Sequence, residues 1–297
     1  MPPPVRFGLF MSQAGRTWDE ILDGFLLAEA LGFDHGWLVD HLVDTDGSPD
    51  SPCLEAWTLL AAIATRTTTI RLGVLVSSNT FRYPALLLKQ SVTVDHISGG
   101  RLILGLGTGW NADEHQRYGI PLPPPGERVD RLEEAVELID RLQRDQRTTV
   151  HGTYYELDHA ALSPKPVQRP RIPLLIAAHR PRMLRLAARY ADQWDTFPAT
   201  PGASTGGVTL SVAEQAQILE AACREYGRDP DSIRRSTWAE ADVLASPGTY
   251  ETFVATHRAL GFTDLSVTLP PPGEHDVLER VARQVIPRLR AEDAAAT

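Results

Sequence analysis

The sequence predicts an α/β fold: a single-domain (β/α)8 TIM barrel over residues 1–297, with extended loops at its C-terminal mouth. Two observations lead to this prediction. Eight short apolar segments have the composition of buried strands, and segments with helical periodicity separate them. Strands that alternate with helices pair in parallel, and at this length one closed barrel buries all of them. A doubly wound open sheet is the structural alternative.

The predicted strands are rich in Val, Ile, Leu, Phe and Trp, as buried parallel strands are. They are Val5–Phe10, Phe33–Val39, Ile70–Val76, Arg101–Gly107, Ile172–Ala178, Asp192–Phe197, Ile233–Leu244 and Phe262–Leu269. Two of the helices between them begin with a capping-box pattern, in which Thr or Ser is followed three residues later by Glu. The pairs are Thr17 with Glu20 and Ser211 with Glu214.

The composition narrows the functional classes. Hydrophobic residues make up 42% of the chain and charged residues 23%, which is typical of a globular protein. The net charge of −9 disfavours general nucleic-acid binding, since phosphate recognition needs clustered positive charge. No apolar stretch is long enough to cross a membrane, the start of the chain has no signal core, and the two cysteines lack metal-ligand spacing. We expect a soluble, reduced, cytoplasmic protein with no metal site and no nucleic-acid or membrane partner.

Three long loops follow predicted strands, so a barrel would bring them together at its mouth, where barrel sites are built. They cover residues 44–52, 111–126 and 198–209. A further stretch around 145–171 precedes the fifth strand and is interpreted as an insertion. The small-residue tail 291–297 is expected to fray.

Asp40 and His41 stand at the end of the second predicted strand. Histidine titrates near neutral pH and suits proton transfer, and a neighbouring carboxylate can tune it. A solvent-facing histidine with no catalytic role is the alternative for an isolated dipeptide. From the dipeptide alone this alternative is favoured, and the position of His41 and its neighbours must decide.

The glycine run Gly105–Gly109 follows the fourth strand. It is not a dinucleotide-binding fingerprint, because Trp110 stands where the third glycine would be. Glycines at 107 and 109 allow a flat ligand to approach the backbone closely, and a simple tight turn is equally compatible with the pattern. After the fifth strand, Arg180 and Arg182 stand at an expected helix start, so residues 177–182 are predicted to bind phosphate.

Together these segments resemble the luciferase-like monooxygenase superfamily, and within it the branch that uses the deazaflavin coenzyme F420. The resemblance covers about the first two thirds of the chain. Its most specific stretch is Tyr83–Gly119, which contains SGGR, the glycine-rich turn ending in Trp110, an acid-His pair and Tyr-Gly. The supporting stretches are 37–41, 54–57, 152–155, 164–170 and 186–194.

The resemblance implies a flavin or deazaflavin at the barrel mouth and a non-prolyl cis peptide between Leu75 and Val76 beneath its ring. It places Asp40 and His41 at the ring edge. The implied cofactor-binding residues are Leu75, Val76, Ser77, Asn79, Gly107, Thr108, Gly109, Trp110, Ala177, Ala178, His179 and Arg180. The last four depart from the glycine-rich run that many relatives carry there.

The function expected from the resemblance is hydride transfer between coenzyme F420 and a small organic substrate. His41 would exchange the matching proton and Asp40 would orient it. An FMN-dependent monooxygenase, supplied by a separate reductase, is the alternative, and a non-catalytic flavin-binding barrel is a third hypothesis. Phe81, Trp110 and Tyr118 are predicted to line the substrate pocket. The resemblance also implies a homodimer.

Overall fold

The computed structural model describes residues 4–45, 47–197, 210–271 and 273–295. The third predicted loop, 198–209, lies outside them. The strands are β1 (Arg6–Phe10), β2 (His35–Leu38), β3 (Arg71–Val74), β4 (Ser77–Ser78), β5 (Leu102–Gly107), β6 (Thr148–His151), β7 (Glu156–Ala160), β8 (Leu174–Ala177), β9 (Gln193–Asp195), β10 (Arg234–Ala239) and β11 (Asp264–Thr268).

The main sheet is a closed parallel barrel. Its order is β3-β2-β1-β11-β10-β9-β8-β5, and β3 pairs with β5 to complete the circle. The two-residue strand β4 continues the wall beyond β3 and also pairs with β5. The predicted (β/α)8 barrel is therefore confirmed, and the open-sheet alternative is wrong because the first and last strands of the order pair with each other.

Helices surround the barrel, and the short helix after β5 lies at its mouth. They are α1 (Trp18–Ala30), α2 (Ala56–Ala64), α3 (Pro84–Ser98), α4 (Ala112–Arg117), α5 (Pro125–Arg144), α6 (Pro181–Tyr190), α7 (Val212–Glu225), α8 (Pro247–Ala259), α9 (Asp276–Arg280) and α10 (Ile286–Ala295), with a π-helical turn at Val281–Val285. Both predicted capping boxes are present, at Thr17 for α1 and at Ser211 for α7. No helix within the described ranges is long and apolar enough to cross a membrane.

The barrel interior has an apolar floor beneath the mouth. Trp37, Ile103 and Leu175 form a buried cluster there, separate from the larger core between barrel and helices. Three partly buried residues pack on this floor: Phe10, Leu75 and Val76. Inward-facing side chains of parallel barrel strands stack in layers, so these residues form the surface on which a ligand at the mouth would rest.

One strand prediction was too long, and the predicted tail has a contact in the structure. The strand predicted over 233–244 ends at Ala239, and Ala241–Leu244 forms a 3₁₀ helix instead. The tail expected to fray is helical through Ala295. It is held because Asp293 accepts a hydrogen bond from the Val5 backbone N–H at 3.1 Å and pairs with Arg258. The stretch 145–171 contains the antiparallel hairpin β6–β7, which is separate from the barrel sheet.

Candidate active site

His41 lies at the mouth, just beyond β2, and is paired with a buried carboxylate. Its Nδ1 lies 3.0 and 3.2 Å from the two carboxylate oxygens of Glu114. The Glu114 side chain is 2% exposed and that of His41 17%. Glu114 also accepts the Leu42 backbone N–H at 3.0 Å. Because a carboxylate accepts hydrogen bonds, Nδ1 carries the proton and Nε2 is left able to accept one.

The residue expected to orient His41 has another role. Asp40 makes a bidentate ion pair with Arg82, at 2.6 and 2.9 Å, and accepts the Ser78 backbone N–H at 2.8 Å. The assignment of Asp40 as the partner of His41 was therefore wrong, because successive residues of an extended chain point to opposite sides. Burial lowers the pKa of Arg82, but the hydrogen bonds and charges of Asp40 and Glu55 together outweigh this, and the pKa of Arg82 is raised.

Glu114 reaches His41 because of how α4 begins. The Asn111 side chain caps this helix by accepting the backbone N–H groups of Asp113 and Glu114. The cap holds Glu114 in the first turn, facing the barrel. Sequence reasoning noted the acid-His pair at 114–115 within the family pattern but gave it no role.

The segment after β3 carries the feature that the resemblance implies. The peptide between Leu75 and Val76 is cis. Ser77 is fully buried, and its hydroxyl accepts from Trp57 Nε1 at 3.2 Å. Asn79 is also buried and donates to the Tyr155 hydroxyl at 3.1 Å. Leu75 and Val76 therefore present their surface at the mouth, whereas the side chains of Ser77 and Asn79 bond within the protein.

The glycine run makes room for that segment. A Cβ at Gly107 would lie 2.5 Å from a methyl group of Val76. Gly109 has φ +76°, and its carbonyl accepts from Arg128. The sequence predicted that a flat ligand approaches the backbone closely at the glycines. At Gly107 it is Val76, in the bulge after β3, that makes the close approach. Thr108, between the two glycines, is partly buried and its hydroxyl donates to the Gly109 carbonyl at 3.3 Å.

The predicted phosphate segment follows β8. Ala177 ends this strand, Ala178 is buried, and Arg180 is exposed at the N-cap of α6. His179 lies 2.9 Å from the Thr196 hydroxyl through Nδ1, and burial lowers the pKa of His179 to about 4. This imidazole is thus neutral near pH 7 and forms part of the wall.

The arginines further along α6 belong to the surface. Arg182 pairs with Glu133 and, at 2.6 Å, with Asp130, while Arg185 pairs with Glu225 at 2.5 Å. Because Arg182 is held by these acidic side chains, it does not contribute to the predicted phosphate site. Arg180 is the arginine of that segment that lies at the start of the helix.

The three predicted pocket aromatics separate into two groups. Trp110 is 53% exposed and packs edge-on against His41, with ring centroids 5.7 Å apart. Tyr118 is 57% exposed, and its hydroxyl donates to the Leu42 carbonyl at 3.2 Å. Phe81 instead packs on His115, at 4.9 Å. Trp110 thus contacts His41 and Tyr118 contacts the residue after it, whereas Phe81 packs on the residue next to Glu114.

A second histidine also lies beside the bulge. His115 Nδ1 lies 2.5 Å from the Asn111 carbonyl, and its Nε2 lies 2.7 Å from the Thr80 hydroxyl. The Thr80 hydroxyl in turn lies 2.7 Å from that of Ser78. Since a carbonyl only accepts, Nδ1 donates to it, and this buried chain holds α4 against the segment after β4. The sequence did not predict this hydrogen-bonded chain, because Thr80 and His115 are 35 residues apart.

Fold and site together define a barrel enzyme whose mouth combines an apolar floor, a cis-peptide bulge and a histidine–carboxylate pair. The family model for luciferase-like monooxygenases matches residues 4–245. The chain belongs to this family, and the resemblance seen in its motifs is confirmed.

Individual relatives show the same likeness. The chain is 36% identical to an F420-dependent glucose-6-phosphate dehydrogenase of Microbacterium testaceum, over 96% of this chain and 89% of that protein. Among solved structures, it resembles an F420-dependent secondary alcohol dehydrogenase bound to an F420-acetone adduct, with TM-score 0.82, 20% identity and coverage of 97% and 99%. It also resembles the F420-dependent tetrahydromethanopterin reductase of Methanopyrus kandleri, with TM-score 0.77, 19% identity and coverage of 97% and 100%.

Proposed function

We propose that this protein is an oxidoreductase that transfers a hydride between coenzyme F420 and a small organic substrate. The observation that carries the proposal is the His41–Glu114 pair, which places a proton-accepting imidazole nitrogen at the mouth beside an exposed Trp110. The relative that matches 96% of the chain is named for this cofactor, which favours F420 over FMN.

The residues at the mouth fit a flat tricyclic cofactor with a phosphate-bearing tail. Leu75 and Val76 offer an apolar surface for one face of the ring. Two strands along the barrel from β3, after β8, helix α6 begins with Pro181 and has no side-chain cap among the described residues. The N–H groups of its first turn are therefore oriented for an anion. Arg180 would add a positive charge there. The bound cofactor supplies the hydride acceptor or donor.

His41 handles the proton that accompanies the hydride. When an alcohol is oxidised, Nε2 of His41 takes the hydroxyl proton, and the resulting imidazolium is stabilised by the Glu114 carboxylate. In the reverse direction the same nitrogen returns the proton to the carbonyl oxygen. His41 is thus the catalytic residue and Glu114 its positioning residue, in place of Asp40.

A parallel titration with oxidised F420 and FMN, followed by fluorescence, tests the proposal. We expect tight binding of F420, weak binding of FMN, and F420 reduction by an alcohol without oxygen uptake. His41→Ala should lower turnover at least a hundredfold with F420 affinity unchanged, whereas the matched control His151→Ala, on the exposed hairpin, should behave like the parent protein. Tight FMN binding with substrate-coupled oxygen uptake would overturn the proposal.

The other expectations from the resemblance stay predictions. They are the homodimer and the separate reductase that an FMN enzyme would need. The cytoplasmic location, expected from the composition and cysteines, also stays a prediction.

A further inference from the structure

An aromatic cluster that sequence reasoning missed lies at the mouth, on the ends of β1, β9 and β10. Phe10 and Trp238 stack in parallel, with ring centroids 4.8 Å apart and planes 12° apart. Phe197 lies 5.8 Å from Trp238 and 4.5 Å from His179. Phe10, Phe197 and Trp238 are each only partly buried. Partly exposed aromatic faces gathered in a concave mouth are typical of a ligand-binding wall.

The position of Trp238 in the barrel decides what the cluster faces. Strand β10 stands four places from β3 in the closed order of eight, so the two are diametrically opposed. Phe10 points into the barrel, because it packs on the floor of Trp37, Ile103 and Leu175. Trp238 stacks on Phe10 and therefore lies across the mouth from the bulge at 75–76.

Under the proposed function, one face of the cofactor ring rests on that bulge. The opposite, open face then points toward Phe10 and Trp238. Hydride transfer requires the substrate carbon to lie against the open face, so the substrate occupies the space between the ring and this aromatic pair. The pair thus contacts the part of the substrate that does not react.

The charges near the mouth are poorly suited to a phosphorylated substrate. Arg82 is engaged by two carboxylates, and Arg16 and Arg128 donate to backbone carbonyls. The sequence has two lysines, Lys89 on the outer helix α3 and Lys165. Their ammonium groups donate to the carbonyls of Ser163 and Leu142, away from the mouth. Arg180 is assigned to the cofactor under the proposed function.

We infer that Phe10 and Trp238 form a specificity wall that selects a neutral, apolar alcohol or carbonyl compound, and not a sugar phosphate. This inference rests on the proposed function. In the oxidative direction, the carbinol carbon gives its hydride to oxidised F420 and the hydroxyl proton passes to His41. The products are the ketone or aldehyde and reduced F420.

The test compares cyclohexanol, 2-propanol and glucose 6-phosphate as substrates, with F420 reduction followed by absorbance. We expect kcat/KM for cyclohexanol to exceed that for glucose 6-phosphate at least a hundredfold. Trp238→Ala should raise KM for cyclohexanol at least tenfold and leave that for 2-propanol within threefold, because the smaller alcohol does not reach the wall. Trp238→Phe should restore most of the loss, since it keeps an aromatic face.

Two controls separate specificity from folding. Tyr226→Ala removes an exposed aromatic residue on the outer surface and should leave every rate unchanged. Calorimetric binding of cyclohexanone to the F420-loaded protein should weaken at least fivefold in Trp238→Ala, independently of turnover. A Trp238→Ala protein that loses activity toward both alcohols equally would overturn the inference, because that result indicates a structural role.

The titration with F420 distinguishes the two proposals. Failure to bind F420 would remove the proposed function and the inference with it. F420 binding together with preferred oxidation of glucose 6-phosphate would overturn the inference alone. F420 binding with turnover of none of the three compounds, and no cyclohexanone binding, would also overturn the inference.

Discussion

The most direct test of the site is Glu114→Gln. This substitution keeps the shape of the side chain and removes its charge. The carboxylate contacts His41 Nδ1 at 3.0 and 3.2 Å and accepts the Leu42 N–H at 3.0 Å, while only 2% exposed. The glutamine oxygen can still accept from Leu42, so we expect the fold to persist and the chemistry to suffer.

The expected loss follows from the two kinds of hydrogen bond. A hydrogen bond to a charged group contributes about 1.5–3 kcal/mol and a neutral one about 0.5–1.5 kcal/mol, so the variant stabilises protonated His41 less by about 1–1.5 kcal/mol. Since about 1.4 kcal/mol corresponds to tenfold in rate, this loss alone should lower kcat about five- to twelvefold. The amide N–H of Gln can also face Nδ1 and favour the tautomer whose Nε2 cannot accept a proton, which increases the loss.

The assay is steady-state reduction of F420 by an alcohol, with the Kd for F420 measured separately. A positioning role predicts a lower kcat with KM and Kd within about twofold of the parent values. Asp113→Asn is the matched control, because Asp113 is adjacent on α4, 57% exposed and paired only with Arg117 among the contacts of the described chain. A Glu114→Gln protein with kcat within threefold of the parent would refute the role given to Glu114.

The remaining predictions concern stability. Burial raises the pKa of Glu29, but hydrogen bonds from three backbone N–H groups at 68–70 outweigh this and lower it from an ordinary 4.5 to about 2. Because the pKa of Glu29 is lower in the folded than in the unfolded protein, this stabilisation is present above about pH 4.5 and is lost as the pH falls toward 2. Glu29→Gln should therefore lower the unfolding free energy by about 1–2 kcal/mol at pH 7, after allowance for solvent screening. An equally large loss measured at pH 2.5 would contradict this prediction. Arg82→Gln leaves Asp40 buried without its ion pair and should lower the unfolding free energy by about 3–5 kcal/mol in urea titrations, with partial recovery in the double variant with Asp40→Asn. If Arg82→Gln lowers the unfolding free energy by less than about 1 kcal/mol, the Arg82–Asp40 ion pair is not needed for stability.

Local patterns were sufficient for most of the fold. Apolar segments and capping boxes predicted the eight barrel strands and the starts of α1 and α7, because each signal lies within a few consecutive residues. The strand predicted over 233–244 was too long. Residues 241–244 are largely apolar, as in a strand, but form a 3₁₀ helix. The contact of the tail with the Val5 backbone could not be predicted, because the two are 288 residues apart.

The site was predicted less completely. His41 could be found because its place at a strand end coincides with a family motif over residues 37–41. Its partner could not, because Asp40 is adjacent in sequence but bonds to Arg82, whereas Glu114 is 73 residues away. Neighbouring residues of an extended segment point their side chains to opposite sides. Residues that meet across a barrel are far apart in sequence, so no local pattern reveals the contact.

What the sequence by itself determined is the alternation of strands and helices, the family motifs and the presence of a histidine at the mouth. Only the tertiary structure decided which carboxylate bonds to that histidine and that Gly107 accommodates Val76. The stacking of Phe10 on Trp238 was likewise decided by closure of the barrel. The physical reason is that periodicity and capping act over one or two turns of chain, whereas closing an eight-stranded sheet brings together residues more than 200 positions apart.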